Sequence, residues 1–273
     1  MALNHTHTIY DNFVLAQEIE DQFNSHLDLM RFVTVDNSLV GTAGDTLKVH
    51  VYRATDGTEQ LAMGEGNTQN ITVSYTPEEY KIVLLQNRFP YYDEEAMKDP
   101  MLIPTGLKHM ATDMFNKSNE MIMAEYNKTS LTVSAGSYNF DAFVDAVAKM
   151  SLPEATDNGA EVFAFINPNQ KAEIRKALKD DLKYVEAFAR TGYVGTVAGV
   201  NLYTKNDAPS DGIVVATKDA VKYFVKKGAE VEQITSGNRG SNDANIRLNT
   251  IFGRKYFVPA LVDESKAVKI VKA

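Results

Sequence analysis

The residues with the chemistry to act on a substrate are few and scattered. His5 and His7 alternate as metal ligands do on one side of a strand, yet no third ligand lies near them. His26, His50 and His109 lie far apart, each inside a patterned stretch where packing or surface roles are the ordinary use of an imidazole. Glu78-Glu79 and Asp93-Glu94-Glu95 offer neighbouring carboxylates for acid–base work. Adjacent acids beside a helix start serve equally as complements to the helix dipole or as solvated charge. Gly64-Glu65-Gly66 and Ser236-Gly237-Asn238-Arg239-Gly240 have the glycine of phosphate-cradling loops, but neither ends in Lys-Ser/Thr. The chain has no Cys, which removes thiol nucleophiles, thiolate metal sites and disulfides. The expectation is therefore a protein that is not an enzyme, with no catalytic, cofactor-binding or metal-binding residues and no cofactor.

The elements that would have to position a site point elsewhere. Gly44-Asp45-Thr46-Leu47-Lys48-Val49-His50-Val51-Tyr52 and Ile71-Thr72-Val73-Ser74-Tyr75 alternate apolar and polar residues, as the two limbs of a β-hairpin do. The residues between them are rich in Gly, Asp, Glu, Thr and Asn and hold little to bury. A hairpin this polar at its tip projects from its domain and needs another surface to rest on, which directs attention to assembly before catalysis.

Around this arm the chain reads as mixed α and β. Phe13, Val14, Ile19, Phe23, Leu27 and Met30 give residues 9 to 30 the spacing of an amphipathic N-terminal arm. Tyr80 to Leu85 reads as a strand that leads through Arg88-Phe89-Pro90 into the acidic run. Pro104 and Thr105 open a long helix to about Asn127, with Leu107, Met110, Met114, Met121 and Ile122 on one side and Lys108, Asp113, Lys117 and Glu120 on the other. Its methionines, Met110, Met114, Met121 and Met123, suit either core packing or an adaptable binding face. Beyond a Ser/Thr/Gly stretch at 129–138, Phe140, Phe143, Val144 and Val147 mark a short helix. Val162-Phe163-Ala164-Phe165-Ile166 is a buried strand, and Asn167-Pro168 is a cap with Pro at the first helical position. Gly192, Gly195 and Gly199 punctuate a hairpin continuing into Val200-Asn201-Leu202-Tyr203. Residues 212–216 and 220–224 add strands or a short helix, 235–245 a polar loop, and 246–262 and 267–271 further strands.

Composition bounds the function classes. The 273 residues are 44% apolar, ample for a core, and the start Met1-Ala2-Leu3-Asn4-His5 has neither the basic residues nor the apolar run of a secretion signal. No stretch approaches the length of a membrane span. With 28 basic and 36 acidic residues the formal charge is -8, the wrong sign for gripping phosphates by counterion release. The nearest basic cluster, Lys222, Lys226 and Lys227, is broken by Tyr223, Phe224 and Val225 and reads as solvated surface.

The order of these elements resembles the major capsid (coat) protein family of tailed bacteriophages, whose fold is also shared by encapsulins. The resemblance rests on Gly44-Asp45-Thr46 leading into the arm, on Thr191 to Val200 followed by Asn206-Asp207-Ala208-Pro209, and on Phe252-Gly253 through Ala267-Val268-Lys269-Ile270. It spans essentially the whole chain and implies an α+β fold with an N-terminal arm (1–43), an extended loop (44–76), a peripheral domain with a spine helix (77–129), an axial domain (130–245) and C-terminal strands returning to the peripheral domain (246–273). It implies hexamers and pentamers closing into an icosahedral phage head around double-stranded DNA, which is enclosed without sequence-specific binding. A separate scaffolding protein, a portal and cement proteins are the implied partners, with no membrane, and the implied location is the virion, assembled in the bacterial host cytoplasm. Lys48 and Lys81 flank the extended loop, from which some family members crosslink, though no matched partner is evident. An encapsulin-type compartment is the alternative within the fold. A small-molecule-binding or hydrolytic α/β domain is the alternative outside it, and would need a clustered polar site.

Overall fold

A computed structural model describes residues 28–42, 44, 46–150, 152, 161–179, 195–206, 208–234 and 246–272. Three sheets organise them. A two-stranded ribbon pairs β2 (Thr46–Ala54) with β3 (Val73–Lys81). A four-stranded sheet runs in the order β1 (Thr34–Asp36), β10 (Val221–Ile234), β11 (Leu248–Leu261), β4 (Val83–Tyr92). A six-stranded sheet runs β5 (Thr132–Ala135), β12 (Ala267–Lys272), β9 (Ile213–Thr217), β6 (Val162–Ile166), β8 (Val200–Thr204), β7 (Thr196–Val197). The helices are α1 (Asp93–Lys98), α2 (Leu102–Tyr126), α3 (Phe140–Lys149) and α4 (Pro168–Ala177). Among the described residues no helix is long and apolar enough to cross a membrane.

The six-stranded sheet is buried on both faces, and side-chain alternation explains how. In β6, Val162, Ala164 and Ile166 join the core that holds Phe143 and Ala146 of α3 and Ile174 of α4. Phe163 and Phe165 point the other way, into a second core with Ile122, Met123 and Tyr126 of α2. β9 divides in the same manner, Ile213 and Val215 against Val214 and Ala216. α4 starts as its sequence requires, with Asn167 Oδ1 accepting from the Gln170 N–H (2.7 Å), Gln170 Oε1 accepting from the Asn167 N–H (2.9 Å), and Pro168 where no amide proton is needed. The β7–β8 turn places Ala198 (φ 50°) and Gly199 (φ 80°) both in the left-handed region, which gives Gly199 its conformational reason. Gly195 adjoins β7, whereas Gly192 lies outside the described residues.

α2 spans 25 residues, about 37 Å at 1.5 Å per residue. It begins two residues before the expected start and ends one before the expected end, with Pro104 inside the first turn where amide protons have no intrahelical acceptor. Its buried face differs from the expected apolar stripe. Leu107 is exposed, while Ser118 and Asn119 are buried. The polar pair survives burial because each side chain is partnered: Ser118 Oγ lies 3.2 Å from the Tyr223 hydroxyl, and Asn119 Oδ1 accepts from the Leu29 N–H at 3.2 Å. Met110 and Met114 pack over Gly253 of β11, where an added Cβ would stand 3.5 and 3.3 Å from their methyl carbons. Gly106 meets Phe89 of β4, whose ring would lie within 2.5 Å of a Cβ there. The close approach of α2 to β4 therefore needs Gly106, whereas at Gly253 a Cβ would first meet Asn87 Oδ1 of β4, at 2.5 Å.

Several boundaries depart from the sequence expectation. β3 runs on to Lys81, and β4 continues through Arg88-Phe89-Pro90 to Tyr92, so the single strand expected at 80–85 is divided at Ile82. Pro90 is accommodated because β4 is the outer strand of its sheet. Residues 129–138 contain β5, and 220–224 belong to strand β10 rather than to a helix. In α3 the inward residues are Ala142, Phe143 and Ala146, whereas Phe140 and Val144 are exposed. β12 pairs with β5 and β9, while β10 joins β11 in the four-stranded sheet. Hydropathy marks a strand but not its partner, and the turn at Asp263 to Lys266 carries the chain from one sheet to the other.

The N-terminal arm is described only from Asp28, and its stripe from Phe13 to Leu27 lies outside the described residues. Where the description begins, Leu29 and Phe32 are buried in a 3-10 turn capped by Asp28. The Phe32 ring packs on Phe163 (4.8 Å), Phe165 (5.2 Å) and Tyr203 (4.6 Å), and Tyr126 donates its hydroxyl proton to the Phe32 carbonyl at 2.5 Å.

Burial pushes the phenol of Tyr126 well above its ordinary 10.0, and burial also raises Tyr223. A raised phenol holds its proton longer in the folded state, so its contribution to stability is complete below the unfolded value and is lost as pH rises through and beyond it. Lys255, whose ammonium is depressed by burial beside Tyr223 and Phe257, works in the opposite direction but is one group against several. Stability should fall as pH rises above 10. Tyr126→Phe should cost about 1–2 kcal/mol at neutral pH by leaving the buried Phe32 carbonyl without this donor, and should flatten the alkaline fall. Urea unfolding followed by circular dichroism from pH 7 to 11.5 measures both.

Candidate assembly surface

The ribbon of β2 and β3 is antiparallel and in continuous register from Thr46 opposite Lys81 to Ala54 opposite Val73. Nine residues on each strand make an arm of about 30 Å. At its base Lys48 pairs with Glu79 at 2.8 Å; hydrogen bonding and charge from Lys48 lower the Glu79 carboxyl, and the same partner raises the Lys48 ammonium. Lys81 is exposed.

Residues 55–72 form the tip without strands, held by local polar bonds. The Thr55 N–H donates to the Thr72 carbonyl (3.0 Å), the Thr72 N–H to Thr55 Oγ1 (2.9 Å), and Asn67 Nδ2 to the Gly57 carbonyl (3.2 Å). Glu59 accepts from both the N–H (3.0 Å) and the hydroxyl (2.9 Å) of Thr68, and these bonds, the backbone one first, lower its carboxyl. Gly57 is required by a close crossing of the two limbs, since a Cβ there would lie 2.8 Å from Ile71 Cγ1 and 2.9 Å from the Ile71 nitrogen. Gly64, at φ 93°, and Glu65, which accepts from the Ala62 N–H at 3.2 Å, complete a turn rather than a phosphate cradle.

Among the described residues nothing covers the tip's apolar side chains. Met63 is 104% exposed, Ile71 and Val73 61%, and Leu61 45%. The same segment carries Asp56, Glu59 and Glu65 and no Lys or Arg. A tip that keeps its shape by internal hydrogen bonds and holds apolar side chains outward is organised for contact.

The residues with catalytic potential are placed in structural roles. Asp93 accepts from Asn249 Nδ2, Glu94 pairs with Arg247, and Glu95 accepts from the Tyr92 N–H (2.9 Å), so each acid of the run ties α1 to β11 or to the residue before it, or caps the helix. Glu78 lies 2.7 Å from the Tyr80 hydroxyl, and Glu79 is the partner of Lys48. His109 is exposed on α2. The basic trio on β10 is dispersed, with Lys226 donating to the Thr42 carbonyl and Lys227 pairing with Glu230 at 2.7 Å. Among the described residues no three or more His, Asp or Glu side chains are grouped to hold a metal. His5, His7, His26, the side chain of His50 and Ser236 to Gly240 lie outside what is described.

No protein-family model matches the chain. A major capsid protein of Staphylococcus phage phiMR11 is 26% identical over 276 residues, covering 95% of this chain and 92% of that protein. Among solved structures, that of Mycobacterium phage Che8 superposes with a TM-score of 0.70 at 14% identity, covering 100% of this chain and 98% of that one. The capsid of cyanophage P-SCSP1u gives 0.69 at 15% identity, with 91% and 89% covered. The SrpI encapsulin of Synechococcus elongatus gives 0.62 at 12% identity, with 99% and 92% covered. The chain therefore has the coat-protein fold common to tailed-phage capsids and encapsulins, as the order of its sequence motifs implied.

Removing the tip tests its separateness from the subunit core. Deletion of Gly57 to Asn67 takes away no residue of the three buried cores and should leave a folded, soluble protein with an unchanged unfolding transition. The same protein should form no closed particles by electron microscopy, and normal assembly would contradict the reading of the arm.

Proposed function

We propose that this chain is the major capsid protein of a tailed phage, a structural protein and not an enzyme, which assembles with copies of itself into an icosahedral head. One observation carries the reading beyond fold likeness. The subunit holds out an arm of about 30 Å whose tip keeps its own shape while exposing Leu61, Met63 and Ile71, and that arrangement acquires a purpose only against a neighbouring copy.

In this reading the four-stranded sheet with α2 is the peripheral part of the subunit, and the six-stranded sheet with α3 and α4 is the axial part, around which hexamers and pentamers close. The interior holds double-stranded DNA without reading its sequence. A net charge of -8 suits a container whose contents must leave, since a wall that neutralised many phosphates would retain them. A scaffolding protein, a portal and cement proteins are the partners such a shell would use, and assembly takes place in the host cytoplasm. The likeness to an encapsulin supports a second reading within the same fold, a compartment loaded with protein cargo.

Electron microscopy of the protein produced in bacteria distinguishes these readings. Five- and six-fold capsomers or closed shells support the capsid fold in action, and shells that retain a co-purifying protein cargo would move the assignment to the compartment. A monomer at every concentration, with or without crowding agents, would overturn both.

A further inference from the structure

Among the described side chains that join the arm to the rest of the subunit, one reaches several elements. Leu47, Tyr80 and Ile82 pack against Phe224, Val258 and Ala260 of the four-stranded sheet. Tyr80 also reaches two further elements. Its hydroxyl lies 3.0 Å from the Leu261 carbonyl at the end of β11, and 2.7 Å from Glu78. Its ring faces the Lys128 ammonium, 5.8 Å from the ring centre, and Lys128 is held at 2.5 Å by Glu125 in the last turn of α2. Glu125 is itself buried, with Oε2 lacking a hydrogen-bond partner, and it holds the half-exposed Lys128 side chain in place beneath the ring.

We infer that Tyr80 is the positioning residue that sets the direction in which the arm leaves the subunit, bracing β3 against Leu261 on one side and against the Lys128–Glu125 pair on the other. The phenol has one proton and two acceptors in reach, so it bonds the body of the subunit through Leu261 or its own strand through Glu78, and the first choice fixes the arm. Burial and the neighbouring carboxylates raise the phenol, which keeps that proton in place. Leverage gives the joint its importance: a tilt of about 10° at the base of an arm of about 30 Å moves the tip by about 5 Å. Such a displacement is greater than a side-chain contact distance and would carry Leu61 and Met63 off any complementary surface.

The assembly reading gives the arm its purpose, but the joint is tested in the unassembled subunit, so the two ideas fail separately. The chain has no Cys, and Gln60→Cys with Ala148→Cys puts one spin label on the tip and one on exposed α3. Pulsed electron-electron resonance should give one narrow distance distribution for the otherwise unaltered protein. Tyr80→Phe, which keeps the ring packing, and Lys128→Ala should each broaden it and shift its mean by about 5 Å. Lys128→Arg, which preserves the cation, and Lys48→Ala, which breaks only the exposed pair within the arm, should leave it unchanged. The inference is overturned if Tyr80→Phe reproduces the parent distribution, whatever Lys128→Ala does, or if the parent distribution is already as broad as that of the variants.

Discussion

Aromatic packing at the end of α2 is the interaction on which the rest of the subunit depends. Tyr126 meets Phe163 at 6.0 Å and Phe165 at 5.8 Å, and Phe32 closes over both. Through these rings the last turns of α2 are seated on the six-stranded sheet, while the earlier turns lie across Gly253 and Phe89 of the four-stranded sheet. One helix thus spans two sheets, and Tyr223 stacked on Phe257 at 4.8 Å with its hydroxyl beside Ser118 makes the connection from the other side. Edge-to-face and offset contacts of this kind fix orientation more sharply than aliphatic packing does, which suits a subunit that has to present its surfaces at set angles.

That rigidity explains why the arm is the part left to act. Most buried apolar residues from Leu29 to Ile270 belong to one of three cores, and among the described residues of the ribbon only Leu47 and Tyr80 pack against one of them. The acidic run at Asp93 to Glu95, which invites a catalytic reading, is spent on Asn249, Arg247 and the Tyr92 amide. The methionines of α2 find the commoner of their two uses where Met110 and Met114 fill the space above Gly253 and Met123 is buried.

Local chemistry was legible in the sequence and long-range pairing was not. The alternation of 46–52, the fully apolar 162–166 and the Asn167-Pro168 cap each describe a residue's nearest neighbours, and each became the element expected of it. The partners of β10 and β12 could not be read locally, because periodicity reveals which face is buried and not which strand lies alongside. The burial of Ser118 and Asn119 carries no local signal, because their partners, Tyr223 and the Leu29 amide, are 105 and 90 residues away. Tyr80 escaped notice for the same reason, since Leu261 stands 181 residues from it. The polar tip, whose meaning lies in what it lacks, was open to sequence reading throughout.

The proposed function requires that another copy of the chain cover the tip of the arm. Hydrogen exchange across residues 55–72, compared between free subunits and assembled particles, tests it most directly. The account predicts rapid exchange at the amides of the exposed Leu61 and Met63 in the free subunit and strong protection of the same amides in particles. Equal exchange in the two states would contradict it.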